Sequence, residues 1–163
     1  MNKKVILILP VFIVILVIAF VINKRDSIPT YKSDIVCSYS DVETQDDEEY
    51  DSKSIIYIYK NKDNVRKSIN QSIMSSNSDT GLLESIISLY NSVEGIDASL
   101  KTIGNKIVFE VTYDFDRIDL DLTKEKMGSV LSDDSILMKA KELPLKVDDY
   151  LEYLSKNYKC EVK

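Results

Sequence analysis

An α+β domain with an antiparallel sheet, carried behind one hydrophobic N-terminal helix, follows from three observations. Residues 5–22 form an unbroken apolar run. Several β-rich segments are joined by short turn clusters, as in hairpins. Only two later segments show the 3–4 apolar spacing of a core-facing helix, and they do not alternate with strands.

The run VILILPVFIVILVIAFVI has 18 residues without a charged or polar side chain. As a helix it would be about 27 Å long, close to the thickness of a bilayer's hydrocarbon core. Pro10 falls in its second turn, where a kink is tolerated in lipid. A cleavable signal peptide is the competing reading. The run is long for one, and Ala19-Phe20-Val21 makes a poor cleavage site. The expectation is an uncleaved anchor: 1–4 a cytoplasmic n-region, 5–22 transmembrane, 23–33 a tether and 34–163 an extracytoplasmic domain. Basic residues flank both ends of the run, so the positive-inside count is close to a tie. An outside domain is favoured by the layout of basic residues before a long apolar run, and by the cysteines.

Residues 34–39 predict the first strand, and 41–51 (DVETQDDEEYD) a solvated loop or hairpin tip. Residues 54–60 (SIIYIYK) are β-branched and aromatic, and predict a strand. The cluster at 61–64 predicts a turn into a strand at 65–75. There Val65, Lys67, Ile69, Gln71 and Ile73 share one face at period two; helical spacing fits Val65, Ile69 and Ile73 as well. A helix is expected at 79–92, capped by Asp79 or Thr80, with Leu82, Leu83, Ile86, Ile87 and Tyr90 inward. Gly104-Asn105 predicts a hairpin between strands at 96–103 and 106–114. Residues 114–122 interleave acids with apolar residues, and 124–131 allows a short helix. A second clear helix is expected at 147–157, with Val147, Tyr150, Leu151 and Leu154 on one face, and a closing strand at 158–162.

Cys37 and Cys160 fall in the first and last of these strands. Two β-type neighbours in one sheet would form a disulfide closing a loop of more than 100 residues, which requires an oxidising compartment. Two unrelated buried thiols are the alternative. Neither cysteine lies in a CxxC redox motif.

Charge and composition exclude several functions. The first 26 residues hold Lys3, Lys4, Lys24 and Arg25 against Asp26. The rest carries 17 basic and 26 acidic residues, a net charge of about −9. Such a domain repels a phosphate backbone and an anionic membrane surface, so no nucleic-acid partner is expected. The absence of His removes His-dependent triads and the usual transition-metal sites. No glycine-rich phosphate loop or nucleophile motif is present, and no cofactor is expected.

The best candidate for a cation is Asp114, Asp116, Asp119 and Asp121, four carboxylates within eight residues suited to Ca²⁺. The spacing fails the EF-hand pattern, and a polar strand edge and turn kept soluble by charge is the preferred explanation. Asp133-Asp134 and Asp148-Asp149 suit helix N-termini. Of the ten tyrosines, Tyr57, Tyr59, Tyr90, Tyr113, Tyr150, Tyr153 and Tyr158 fall in or beside expected elements. They are expected to give core bulk, with an aromatic ligand platform as the alternative.

Residues 54–122 contain the strand pair around 61–64, the helix ending in Tyr90, then Val93-Glu94-Gly95-Ile96. A hairpin follows, leading into Tyr113-Asp114-Phe115-Asp116-Arg117-Ile118-Asp119-Leu120. This stretch, under half of the chain, resembles the YehR-like small bacterial lipoproteins of unknown function. The resemblance implies an exported envelope domain and supplies no catalytic residues. The chain departs from the family in lacking a lipobox cysteine, so the hydrophobic helix would replace the lipid anchor. The expected function is a non-enzymatic binding or interaction domain of the bacterial envelope with an envelope-protein partner. A Ca²⁺-dependent module and a small carboxylate-based enzyme are the rivals.

Overall fold

A computed structural model describes residues 27–45, 48–75, 81–128, 131 and 135–163. The expected anchor, the capping pair Asp79 and Thr80, and Asp133-Asp134 lie outside the described residues. Among the described residues no helix is long and apolar enough to cross a membrane.

The chain from Tyr31 to Lys163 forms one compact unit. Its elements are β1 (Ile35–Gln45), β2 (Glu48–Asn61), β3 (Asn64–Ser75), α1 (Gly81–Tyr90), β4 (Ile96–Ile103) and β5 (Lys106–Asp114). They continue with α2 (Leu120–Met127), α3 (Ile136–Lys139), α4 (Val147–Leu154) and β6 (Lys159–Val162). The six strands form one sheet in the order β4-β5-β3-β2-β1-β6, and every neighbouring pair is antiparallel. The α+β class with an antiparallel sheet is therefore as the hairpin pattern predicts.

Two stretches are given their form by the structure. Of the two forms open to the acidic stretch, loop or hairpin tip, the structure takes the hairpin, with β1 and β2 paired out to Gln45 and Glu48. Its register sets Val42 against Asp51, Glu43 against Tyr50 and Thr44 against Glu49, so among the described residues no two acidic ones are register partners there. The run 114–122, in which acids interleave with apolar residues, is the end of β5, a turn and the start of α2. Asp119 is the reason: its side chain accepts the Leu122 amide (3.0 Å) and caps the helix.

The sheet has two buried faces. Ile35, Cys37, Ile56, Ile58, Ile96 and Val111 face the helices and pack with Phe115, Met127, Leu137, Tyr150 and Leu154. On the opposite face Tyr57, Ile69, Gln71, Ile73 and Val108 are buried as well. Period two alone places Val65 with Ile69. An irregularity in the β2–β3 register between Tyr59 and Lys60 breaks that alternation, so Val65 joins the helix-side core.

Tyr31 belongs to the second face, not to a free tether. Its ring meets Tyr57 edge-on at 5.2 Å. Its hydroxyl donates to Glu110 Oε2 (2.8 Å), which also accepts from Gln71 Nε2 (2.9 Å).

Both free edges of the sheet are managed. At β4, the Asn91 carboxamide donates to the Ala98 carbonyl (3.1 Å) and accepts the Ala98 amide (2.6 Å). A side chain thus takes the place of a further strand. At the other edge, β6 is only four residues long and is bonded covalently to β1 through Cys37–Cys160. These two residues are direct cross-strand partners.

Candidate functional site

The four aspartates proposed for a cation each have a separate place. Asp114 ends β5, and its Oδ1 accepts the Asp116 amide (3.3 Å). Asp116 pairs with Arg66 at 3.1 Å on the surface. Asp119 caps α2, and Asp121 stands exposed in that helix's first turn, where the dipole favours a negative charge. Among the described residues no three Asp, Glu or Cys side chains converge on a point that would hold a metal ion.

The residues of the "GI…YD…I" pattern do converge, for a structural purpose. Gly95 has φ of +84°, and a Cβ there would lie 2.9 Å from the Asp114 carbonyl oxygen and from Ile118. The Asp114 amide donates to the Gly95 carbonyl (2.7 Å), and the Ile118 amide to that of Asp114 (3.2 Å). This close approach sends the chain from β5 into α2 across the top of the core.

The chemistry concentrates instead between the helix-side face of the sheet and the α3–α4 layer. A cavity of about 160 Å³ lies there, lined by Tyr113 and Phe115 from the end of β5, Tyr150 and Tyr153 from α4, and Tyr158. Ile56, Asn70 and Leu137 line it too. Local structure explains the convergence. Tyr150 and Tyr153 are one helical turn apart on α4, and Leu154 anchors that helix in the core. Tyr113 and Phe115 straddle the end of β5, with their rings stacked at 6.1 Å. Phe115 meets Tyr150 edge-on at 6.1 Å.

The Tyr113, Tyr150 and Tyr158 phenols are hydrogen-bonded, and Tyr150 is bonded also to Asn70 of the cavity wall. Tyr150 donates to Ser68 Oγ (3.4 Å) and Tyr158 to Ser54 Oγ (3.0 Å). Tyr113 is hydrogen-bonded to Tyr90. Burial pushes the Tyr150 phenol up to about 12 and that of Tyr113 well above its ordinary value. These groups therefore stay neutral at physiological pH, and beside their rings the wall holds Ser135 and Asn70, whose buried Oδ1 has no hydrogen-bond partner among the described residues. Such a wall holds an apolar or aromatic group; it supplies no acid or base poised near neutrality.

Beside the cavity is a second depression of about 250 Å³, which shares Tyr153, Leu154 and Tyr158 with it. Its remaining lining is Lys139, Lys156 and Asn157, with no carboxylate among the described residues.

The tyrosines were visible in sequence as aromatic bulk, and four of the seven singled out reach the cavity. Phe115 appeared in sequence only as part of the 113–120 run, and Asn70, Lys139 and Lys156 were not singled out. They come from four separate segments; the fold brings Phe115 and Asn70 to the cavity and Lys139 and Lys156 to the neighbouring depression.

No family model matches the chain, and no curated protein matches it. Among solved structures, it is similar to an NMR structure of a protein from Streptococcus pneumoniae TIGR4. The identity is 14%, the likeness covers 83% of this chain and 90% of the other, and the TM-score is 0.47.

Proposed function

We propose that this chain is a non-enzymatic binding domain of the bacterial cell envelope. In this reading residues 5–22 anchor it in the membrane, the domain from Tyr31 onward faces outward, and the ring-walled cavity is its binding site. The cavity is the observation that carries the proposal. It is an aromatic recess in which the Tyr113, Tyr150 and Tyr158 hydroxyls are hydrogen-bonded, while the acidic side chains of the 114–121 stretch serve a turn, an ion pair and a helix cap. The Cys37–Cys160 disulfide supports an outward-facing domain, since such bonds persist in oxidising compartments. The likeness of residues 54–122 to YehR-like small lipoproteins fits an envelope address with a helical anchor in place of a lipid.

Two measurements test this reading. Protease added to intact cells should remove the domain, and non-reducing mass analysis should find both thiols oxidised. Protection of the domain together with free thiols would reverse the topology. For the site, millimolar p-cresol should raise the calorimetric Tm of residues 23–163, because a ligand of the native state alone must do so. An Ile136→Trp variant, which fills the cavity, should abolish the rise. An equal rise in that variant would move the site elsewhere.

A further inference from the structure

An interior strand of the sheet turns an uncharged polar row to the helix side. β3 lies between β2 and β5, and its helix-side positions are Ser68, Asn70 and Ser72. Their register partners are Ile58, Ile56 and Ser54 on β2, and Tyr113, Val111 and Phe109 on β5. Ser68 Oγ accepts the Tyr150 hydroxyl at 3.4 Å. With that proton committed, the Tyr150 oxygen is the acceptor in its bond to Asn70, and the Asn70 Nδ2 is the donor. The other end of the carboxamide, Oδ1, is buried and accepts no hydrogen bond among the described residues. Asn70 lines the cavity, as does Ser135, whose Oγ is occupied in accepting the Met138 amide (3.2 Å) as the cap of α3. A buried acceptor without a donor costs stability, and a donor brought by a ligand removes that cost. The size of the cavity limits what can bring it. At about 160 Å³ it is close to an engineered cavity of about 150 Å³ that accepts a single benzene ring. No charged side chain stands among its described lining residues, so an ionised group would lose its hydration there without a partner.

We propose, building on the binding-site reading above, that the ligand is a neutral single-ring aromatic molecule whose hydroxyl or N–H donates to Asn70 Oδ1. The ring packs against Tyr113, Phe115 and Tyr150, and the donor at its edge supplies the hydrogen bond that Oδ1 lacks. The arrangement selects by hydrogen-bonding capacity rather than by charge. A ring of the same shape with a methyl in place of the donor seals Oδ1 in unpaired, and the site discriminates against it for that reason. An aromatic acid or amine enters only in its neutral form.

The test compares two probes of one shape, 4-fluorophenol and 4-fluorotoluene, of which only the first carries a donor. The full chain is held in phosphatidylcholine nanodiscs and empty discs serve as blanks. Affinities are read by fluorine NMR, with the free probe measured from its aqueous signal. The phenol should bind on the order of 10-fold more tightly than the toluene, the cost of leaving one buried acceptor unmet. In an Asn70→Leu variant, which replaces the carboxamide by an apolar group of similar size, the ratio should fall to about 1. Ile136→Trp, which fills the cavity, should weaken both probes. Should Asn70→Leu fail to fold, the Asn70 Cγ resonance of the unaltered chain decides. Both probes bring the same ring, so a larger downfield shift with the phenol marks the hydrogen bond, and equal shifts overturn it. Equal affinity of the two probes for the unaltered chain overturns the donor assignment and leaves the cavity as a site for plain rings. A preference for the phenol that persists in Asn70→Leu, or binding of the phenol that survives Ile136→Trp, overturns the assignment to Asn70. Binding of neither probe above the blank overturns both readings.

Discussion

Reduction of the Cys37–Cys160 bond tests how the two ends of this domain are held together. The cysteines are 123 residues apart, and the chain-entropy relation for a loop of that length gives about 5 kcal/mol of stabilisation. That figure approaches the whole stability of many domains, so the local structure matters for how it is expressed. β6 has four residues, all with exposed side chains, and pairs with β1 alone. Without the covalent bond its ladder is a short edge strand that frays readily. The chain just before it is better held: Leu154 is buried and Tyr158 is hydrogen-bonded to Ser54. The expectation is a two-part response. In urea titrations of residues 23–163, reduction should lower the unfolding free energy by about 3–5 kcal/mol. Under native conditions, amide exchange should accelerate first at residues 159–162 and 35–38 and leave β3 and β5 protected. A loss below about 1 kcal/mol, or exchange accelerating uniformly across the sheet, would refute the argument that the bond chiefly restrains the unfolded chain and pins one edge.

Three further outcomes follow from the same structure. Tyr31, Tyr57, Tyr59, Tyr90, Tyr113 and Tyr150 all have phenols raised by burial above the usual value near 10. The unfolded chain therefore releases these protons first. Stability should be intact below about pH 10 and fall as pH rises from there through about 12, the folded value of Tyr150; Tyr150 alone accounts for about 2–3 kcal/mol. Absorbance at 295 nm should show ionisation coinciding with unfolding, and a smooth titration of folded protein near pH 10 would contradict it. Gly95→Ala should cost about 2–4 kcal/mol in thermal or urea melts, since it combines a positive φ with backbone atoms 2.9 Å from the new methyl. Asp119→Ala should cost about 1 kcal/mol through loss of the α2 cap, whereas Asp116→Ala, which removes only an exposed ion pair, should cost under about 0.5 kcal/mol. Equal effects that appear only when Ca²⁺ is present would instead restore the cation site.

Much of the fold was legible in the sequence because its signals are local. The 96–114 hairpin follows from Gly104-Asn105 and alternating apolar residues, and the structure pairs Ile103 with Lys106 across that turn. The α4 face follows from the spacing of Val147, Tyr150 and Leu154, all buried. Pairing of the two cysteines was legible as an option, because both fall in β-type segments at the ends of one domain. The sequence alone also determined the charge balance, the absence of histidine chemistry and the long apolar run at the N-terminus.

Tertiary structure decided what local pattern cannot carry. Period two sets Val65 on the same face as Ile69, and only the irregular β2–β3 register separates them. An acidic run reads as solvated loop or hairpin tip by composition. Which of the two it is depends on cross-strand register, in which no two acidic residues among the described ones are partners there. Four aspartates close in sequence look like a shared site, yet a turn and a helix cap direct them to different tasks. The cavity is the clearest case. Tyr113, Phe115, Tyr150 and Tyr158 lie on segments that only the strand order and the packing of α4 bring together. Secondary structure is fixed by neighbours a few residues apart. A recess is the space left where distant elements fail to fill one another, and no short-range pattern encodes that remainder.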